Sequence, residues 1–195
     1  MTFEDVSWPQ RTERLVLRRV RPGDIERLLE FRNKPEVSRW LLRTEIGAEA
    51  LRAAWLGSLT EPRNLSSVAE LDGVVIGTAT LEVRDGLGQN DDEAMTGAEA
   101  EIGYVLDPAY AGRGFATEIA EALLRIAFED AGVRRVTAGC YADNAGSVRV
   151  LEKAGMRREQ YGVQDSWHAE LGWVDGCTYA LLAEEWVRAS AARGR

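Results

Sequence analysis

The sequence predicts an α/β or α+β fold built on a mixed sheet, and three observations carry that expectation. Short runs with an apolar residue at every second position read as strands, one longer run repeats its apolar residues at helical spacing, and strand and helix patterns alternate from residue 100 onward. Such alternation needs a parallel crossover, whereas the first half carries a hairpin, so parallel and antiparallel pairs share one sheet. The 195 residues, 45% hydrophobic and 29% charged, suffice for one domain with a sizeable core. That domain is read over 1–195, with loose ends expected at 1–10 and 187–195.

Residues 14–20 (RLVLRRV) alternate Leu15 and Leu17 against arginines, the pattern of a half-buried first strand. Asp24 is suited to cap a helix whose apolar face takes Ile25, Leu28 and Leu29, and Thr44 to cap a second that carries Leu51, Ala54 and Trp55. Strands over 67–71 and 74–83 flank Asp72 and Gly73, a dipeptide that accepts the positive φ angles of a tight hairpin turn. Residues 84–98 (RDGLGQNDDEAMTGA) have no apolar period and are read as a long exposed loop. The strand at 100–106 (AEIGYVL) stops at Asp107 and Pro108, because proline cannot donate to a ladder. Ile119, Ala122, Leu123, Ile126 and Ala127 then line one face of the clearest helix, with Gly132 as its stop. A strand over 135–141, a helix capped by Asn144 and running to Gly155, and strands around 156–163 and 178–182 complete the order.

The net charge of −8 would repel a phosphate backbone, which argues against nucleic acid as the main partner. The charge is unevenly spread: residues 11–43 hold ten Arg or Lys against five acids, and 82–101 hold seven acids against Arg84 alone. No apolar run is long enough to cross a bilayer, and the start MTFEDVSWPQRTER lacks the apolar core of a signal peptide. A cytoplasmic protein without a membrane partner is therefore expected. Cys140, Cys177 and the single histidine, His168, have no disulfide or metal-site spacing, so no metal is expected.

The stretch YAGRGFAT, residues 110–117, joins a strand pattern to a helix pattern. The first amides of such a helix have no intrahelical partner and sit at the positive end of its dipole, which suits an anion. Gly112 and Gly114 keep side chains out of the way, and Arg113 adds a charge at the rim. A nucleotide-triphosphate loop is set aside because GxxxxGK[ST] is absent. A dinucleotide site is set aside because GRGFAT fails GxGxxG and lacks the acidic residue that should follow the next strand.

The run 101–156, EIGYVLDPAYAGRGFATEIAEALLRIAFEDAGVRRVTAGCYADNAGSVRVLEKAGM, resembles the acetyl-CoA-binding core of the GNAT superfamily of N-acetyltransferases. The flanks TERLVLRRVRPGD, LDGVVIGTATL and WVDGCTYALLAEEW are similar to its RimJ/RimL branch, so the resemblance covers about 11–186. It implies acetyl-CoA as co-substrate and a mostly antiparallel mixed sheet flanked by helices. It also implies a central parallel strand pair in which the strand ending at Leu106 splays from its neighbour at 135–141, leaving a gap where pantetheine inserts and pairs with the strand backbone. The family signature Gln/Arg-x-x-Gly-x-Gly/Ala falls on residues 111–116, where Gly114 and Ala116 agree but Ala111 replaces Gln or Arg. Pyrophosphate recognition is thus expected from the backbone of Gly112, Arg113, Gly114, Phe115, Ala116 and Thr117.

Acyl transfer to an amine needs a neutral nucleophile, a polarised carbonyl and help for the departing thiolate. The resemblance implies Glu101 as the base, expected to be buried beside Ile102 and Tyr104, with lining of the acceptor cleft as its alternative. A backbone amide near Leu106 is expected to polarise the carbonyl. The tyrosine that many members place four residues before the glycine ending the Asn144 helix is Leu151 here; similarity to the RimJ/RimL branch, where a serine three residues after the asparagine can face the thiolate, implies Ser147 in that role, with capping of the helix as its alternative. The resemblance implies that Asn144 bridges the splayed strands near the cofactor, with a plain cap as its alternative. His168, in the loop QDSWHAELGW, is read as exposed, with a base role as its alternative. Cys140 and Cys177 read as buried structural thiols, which favours direct attack in a ternary complex.

Deprotonating an α-amine at pH 7 costs on the order of 1 kcal/mol, against about 4 to 5 kcal/mol for lysine, so a protein N-terminal amine is the favoured acceptor. Free amino acids, polyamines and aminoglycosides stay open as acceptors, and a non-catalytic acyl-CoA-binding sensor stays open as a function. The acceptor cleft is expected from residues 40–55, 84–98 and 164–173, and a homodimer accords with the family's habits.

Overall fold

A computed structural model describes residues 6–90 and 92–193. In chain order its elements are β1 (Gln10–Arg11), β2 (Val16–Arg18), α1 (Asp24–Arg32), α2 (Pro35–Ser38), α3 (Ala48–Gly57), β3 (Ser67–Leu71) and β4 (Val74–Arg84). These are followed by β5 (Glu99–Leu106), α4 (Phe115–Arg125), β6 (Arg135–Tyr141), α5 (Ala145–Lys153), β7 (Arg157–His168), β8 (Gly172–Leu182) and α6 (Ala183–Arg193). The sheet has eight strands in the order β1-β2-β3-β4-β5-β6-β8-β7, and every neighbouring pair is antiparallel except β5 with β6. Within the segments expected to be loose, Val6 is buried and α6 runs to Arg193. Residues 1–5 and 194–195 lie outside the described residues.

Most elements follow from local signals. Asp72 at φ 49° and Gly73 at φ 84° make the turn between β3 and β4. Gly132 at φ 68° ends α4, after a wide π turn over Ile126–Asp130. Four readings are corrected. Asp24 does not cap α1, whose cap is Gly23; its carboxylate accepts from the Arg21 amide at 2.7 Å and from two Arg18 nitrogens at 2.8 and 2.9 Å. A partly buried guanidinium from β2 outbid the helix amides for that carboxylate. Thr44 caps nothing: α3 starts at Ala48 behind Gly47, and the extra short helix α2 opens at Pro35, whose fixed φ suits a first turn. Finally, β7 and β8 extend towards each other far past 156–163 and 178–182, so residues 164–173 belong to the end of a long hairpin and not to a loop.

Two apolar cores sit on opposite faces of the sheet. Ala100 and Ile102 of β5 join α4 and α5 residues such as Ile119, Leu123 and Leu151 in the larger one. Val105, pointing the other way by strand alternation, packs with Ile25, Leu28 and Phe31 of α1 and Leu51 and Trp55 of α3. Between them β5 and β6 pair only at Glu99 with Arg135, Ala100 with Val136 and Glu101 with Thr137. Beyond that point β5 follows β4 to Leu106 and β6 follows β8 to Tyr141, so the two strands part and leave an opening. Gly77 of β4 is required here, because a Cβ would lie 2.5 Å from the Val105 carbonyl oxygen.

Asp107, directly after β5, ties the two halves together. It is 2% exposed, accepts from Lys34 Nζ at 2.9 Å and the Ala109 amide at 3.2 Å, and pairs with the Arg27 guanidinium. Burial pushes its carboxyl up, and the bonds from Lys34, Arg27 and the Ala109 amide more than offset this, holding it below the usual aspartate range. A carboxyl depressed in the folded state adds stability that is complete above the unfolded value and is lost as pH falls through the folded one. Asp107→Asn is expected to cost about 2 kcal/mol in urea unfolding at pH 7. The difference from wild type should shrink as the pH falls below the usual aspartate range; a constant difference would exclude this ion pair as the cause.

Candidate active site

The opening between β5 and β6 continues into a cleft of about 940 Å³ that reaches both faces of the sheet. On the α4 and α5 side its wall includes Leu106, Gly112, Ala116, Asn144 and Ser147, so the structure brings together five of the residues picked out in the sequence. Gly114 and Thr117 line a smaller depression of about 540 Å³ on the other flank of the same loop.

The loop itself is spare backbone. Gly112 and Gly114 have φ of 75° and 83°, which turns the chain sharply into α4. Among the described residues, none of the backbone amides of 112–117 donates a hydrogen bond within the protein; the series resumes with Glu118 N to Gly114 O at 3.1 Å. Six unspent amides thus lie at the positive end of a helix, and Ala111 adds only a methyl group. The loop is braced from behind by Arg14, which donates to the Arg113 carbonyl at 2.9 Å and to Glu118 at 2.7 Å. Arg14 and Arg113 lie 4.4 and 4.9 Å from the centre of the buried Phe115 ring, so Phe115 contributes its amide to the loop and its side chain to the core.

The splayed strands give a second row of spare backbone, since residues 102–106 of β5 have no strand partner on the β6 side. Asn144 caps α5 at the mouth, its Oδ1 accepting from the Ser147 amide at 3.1 Å. Ser147 is therefore not the cap. Its hydroxyl lies 2.9 Å from the Tyr104 hydroxyl, a residue the sequence reading used only as a neighbour of Glu101. The strand period places Tyr104 on the α5 face, but the contact across 43 positions has no local signature. Burial pushes the Tyr104 phenol up to about 12, with the Ser147 bond a smaller opposing influence, so it remains a proton donor at neutral pH. When its proton points to Ser147 Oγ, the serine proton is free to point into the cleft.

The remaining candidates sit differently from expectation. Glu101 does not line the cleft: its side chain is 46% exposed and paired with Arg84, so the expected apolar burial is absent. It stands at the last β5 and β6 pair, where the opening begins. His168 is buried and not exposed, because the extended hairpin carries it under Trp40 and Tyr141, with ring centres at 5.6 and 5.3 Å. Its Nδ1 accepts from the amides of Glu170 and Leu171 at 3.1 and 3.3 Å. Cys177 is buried as expected, whereas Cys140 is half-buried and lines the cleft; burial, with Cys177 opposite, pushes the Cys140 thiol up to about 11. Among the described residues, 84–98 and 164–173 line none of the cleft, whereas the third segment expected there, 40–55, contributes Trp40 and Trp55 to its wall. Among the described residues no group of three or more His, Cys, Asp or Glu could hold a metal ion, and no helix is long and apolar enough to cross a membrane.

A splayed parallel pair beside a glycine turn of unspent amides defines a class of CoA-dependent acyltransferase folds. The chain belongs to the GNAT acetyltransferase family: the profile of the Acetyltransferase (GNAT) domain matches residues 14–157. It is 40% identical over 86 residues to the uncharacterized N-acetyltransferase YnaD of Bacillus subtilis (strain 168), which covers 44% of this chain and 50% of YnaD, so the match spans about half of that relative. It is 26% identical to the uncharacterized N-acetyltransferase p20 of Bacillus licheniformis, over 90% of this chain and 97% of p20. A GNAT-family acetyltransferase structure from Bacillus anthracis superposes with a TM-score of 0.75 at 28% identity, over 90% of this chain and 98% of that one. RimL, a ribosomal L7/L12 alpha-N-protein acetyltransferase solved with CoA, shares the fold at a TM-score of 0.76 and 18% identity, over 89% of this chain and 97% of its own. The aminoglycoside acetyltransferase AAC(6′)-Ib, also with CoA, does so at 0.71 and 21%, over 89% and 98%.

Gly114→Ala tests the loop. A methyl at φ 83°, with Arg14 Nη2 3.4 Å away, should cost about 1 kcal/mol of stability and turn the amides aside. CoA affinity measured by titration calorimetry should fall about tenfold; unchanged affinity would mean that these amides do not hold CoA.

Proposed function

We propose that this protein transfers the acetyl group of acetyl-CoA to a primary amine, most favourably an α-amine, by direct attack in a ternary complex. The observation that carries the proposal is the row of six unspent amides at 112–117 beside the open edge of β5, a surface built to hold a pyrophosphate and an extended amide chain. When bound, acetyl-CoA supplies an activated thioester. The amides near Leu106 point at its carbonyl and take up the charge that develops there. Ser147, with its proton directed by Tyr104, protonates the leaving thiolate. Glu101, at the apex of the opening, draws the proton from the amine through water. Cys140, held as a thiol, takes no acyl group.

The aminoglycoside reading is the weaker one. A polycation needs several carboxylates, and among the described residues Glu36 is the one acid on the cleft wall. The described residues of the acid-rich stretch 84–98, which could have attracted such a substrate, line none of the cleft.

Release of CoA thiol across N-terminal peptides, amino acids and amines is the test. Robust release with an α-amine is expected, reduced about a hundredfold in kcat by Glu101→Gln and about tenfold by Ser147→Ala or Tyr104→Phe. Acetyl-CoA at a hundred times its Kd should stabilise the protein by about 2.7 kcal/mol. That stabilisation without turnover of any amine would identify a sensor, and its absence would remove both readings.

A further inference from the structure

On the α1 and α3 side, the cleft carries two arginines with no countercharge. Arg32, the last residue of α1, and Arg43, in the segment before α3, both line the wall. Arg32 is fixed in place: Nη2 donates to the Arg43 carbonyl at 2.5 Å, and Nη1 to Asn33 Oδ1 at 3.1 Å and the Thr44 carbonyl at 3.5 Å. All these acceptors are neutral. Among the described residues neither arginine has a carboxylate within 4.0 Å, although fifteen other pairs of residues do form ion pairs and Glu36 stands on the same wall. Burial, and then the neighbouring charge of Arg43, hold the Arg32 guanidinium below its ordinary value. A guanidinium does not give up its proton at working pH, so two like charges, Arg32 half-buried and Arg43 exposed, share this wall without an ion-pair partner among the described residues.

In a chain of net charge −8, that is a place kept for an anion. The amides at 112–117 that suit the phosphates lie with α4, on the opposite face of the sheet, so the anion is not the cofactor's. The wall around the arginines is apolar, formed by Phe31, Trp40, Leu41 and Trp55.

Resting on the transferase reading, we infer that the acceptor is a primary amine with an apolar body and a carboxylate, the carboxylate binding Arg32 and Arg43 by charge-assisted hydrogen bonds. Two sources supply that chemistry: a free apolar amino acid, or a polypeptide whose apolar first residue is followed by an acidic one.

Four acceptors separate the outcomes: L-phenylalanine and L-phenylalaninamide, and two C-terminally blocked peptides beginning phenylalanyl-aspartyl and phenylalanyl-asparaginyl. CoA release is measured with each at saturating acetyl-CoA and corrected for the fraction of free amine. The carboxylate member of one pair should have a kcat/KM about tenfold higher, and the pair that responds names the source. Arg43→Glu should erase that ratio and Arg43→Lys retain most of it, with the acetyl-CoA Kd unchanged. Equal rates within both pairs, or an Arg43→Glu variant that loses acetyl-CoA affinity while keeping the ratio, would overturn the inference and leave the transferase reading standing. No turnover of any amine would overturn both.

Discussion

The parting of β5 from β6 after Glu101 and Thr137 is the constraint on which the rest of the molecule depends. Each strand is fully paired on its other side, β5 with β4 over all of Glu99–Leu106 and β6 with β8 over all of Arg135–Tyr141. The sheet is thus two antiparallel half-sheets hinged at three residue pairs. Leaving backbone groups unpaired in a protein interior costs on the order of 1 to 3 kcal/mol each, so the opening persists only because both halves are held elsewhere. Leu106 and the turn after it therefore emerge at a fixed place, with Gly112 and Ala116 of the loop on the wall of the same cleft.

Electrostatics sorts the same architecture. The far end of the sheet carries a ladder of mutually satisfied charges: Arg84 bridges Glu82 and Glu101, Arg135 bridges Glu99 and Glu159, and Arg157 joins Glu159 to Glu185. These partly exposed pairs contribute little each, and Glu101 among them stands where the opening between β5 and β6 begins.

Much of this was legible in the sequence where the signal is local. The glycines at 112 and 114, the strand at 135–141 and the Asn144 cap each follow from a few neighbouring residues, and the family resemblance added their joint meaning. What stayed hidden depends on residues far apart in the chain. Asp24 has the side chain of a cap, and only the folded position of Arg18 diverts it. His168 reads as a loop residue until the hairpin is seen to extend and carry it under Trp40. Glu101 lies where the family motif puts it, yet Arg84, opposite it across β4 and β5, gives it a polar setting that sequence alone does not reveal. Tyr104 with Ser147, and Arg32 with Arg43, acquire their meaning only from tertiary proximity.

The two separate apolar cores have a consequence for how such a protein changes over time. The core beneath α4 and α5 holds the loop and the strand edge, while the core beneath α1 and α3 holds Phe31, Trp55 and the arginine-bearing wall. Substitutions in cores that share few contacts add nearly independently in stability. The half that carries α1 and α3 can thus be rewritten by drift or selection while the half that carries α4 and α5 stays intact, so lineages can change one wall of the cleft and keep the other.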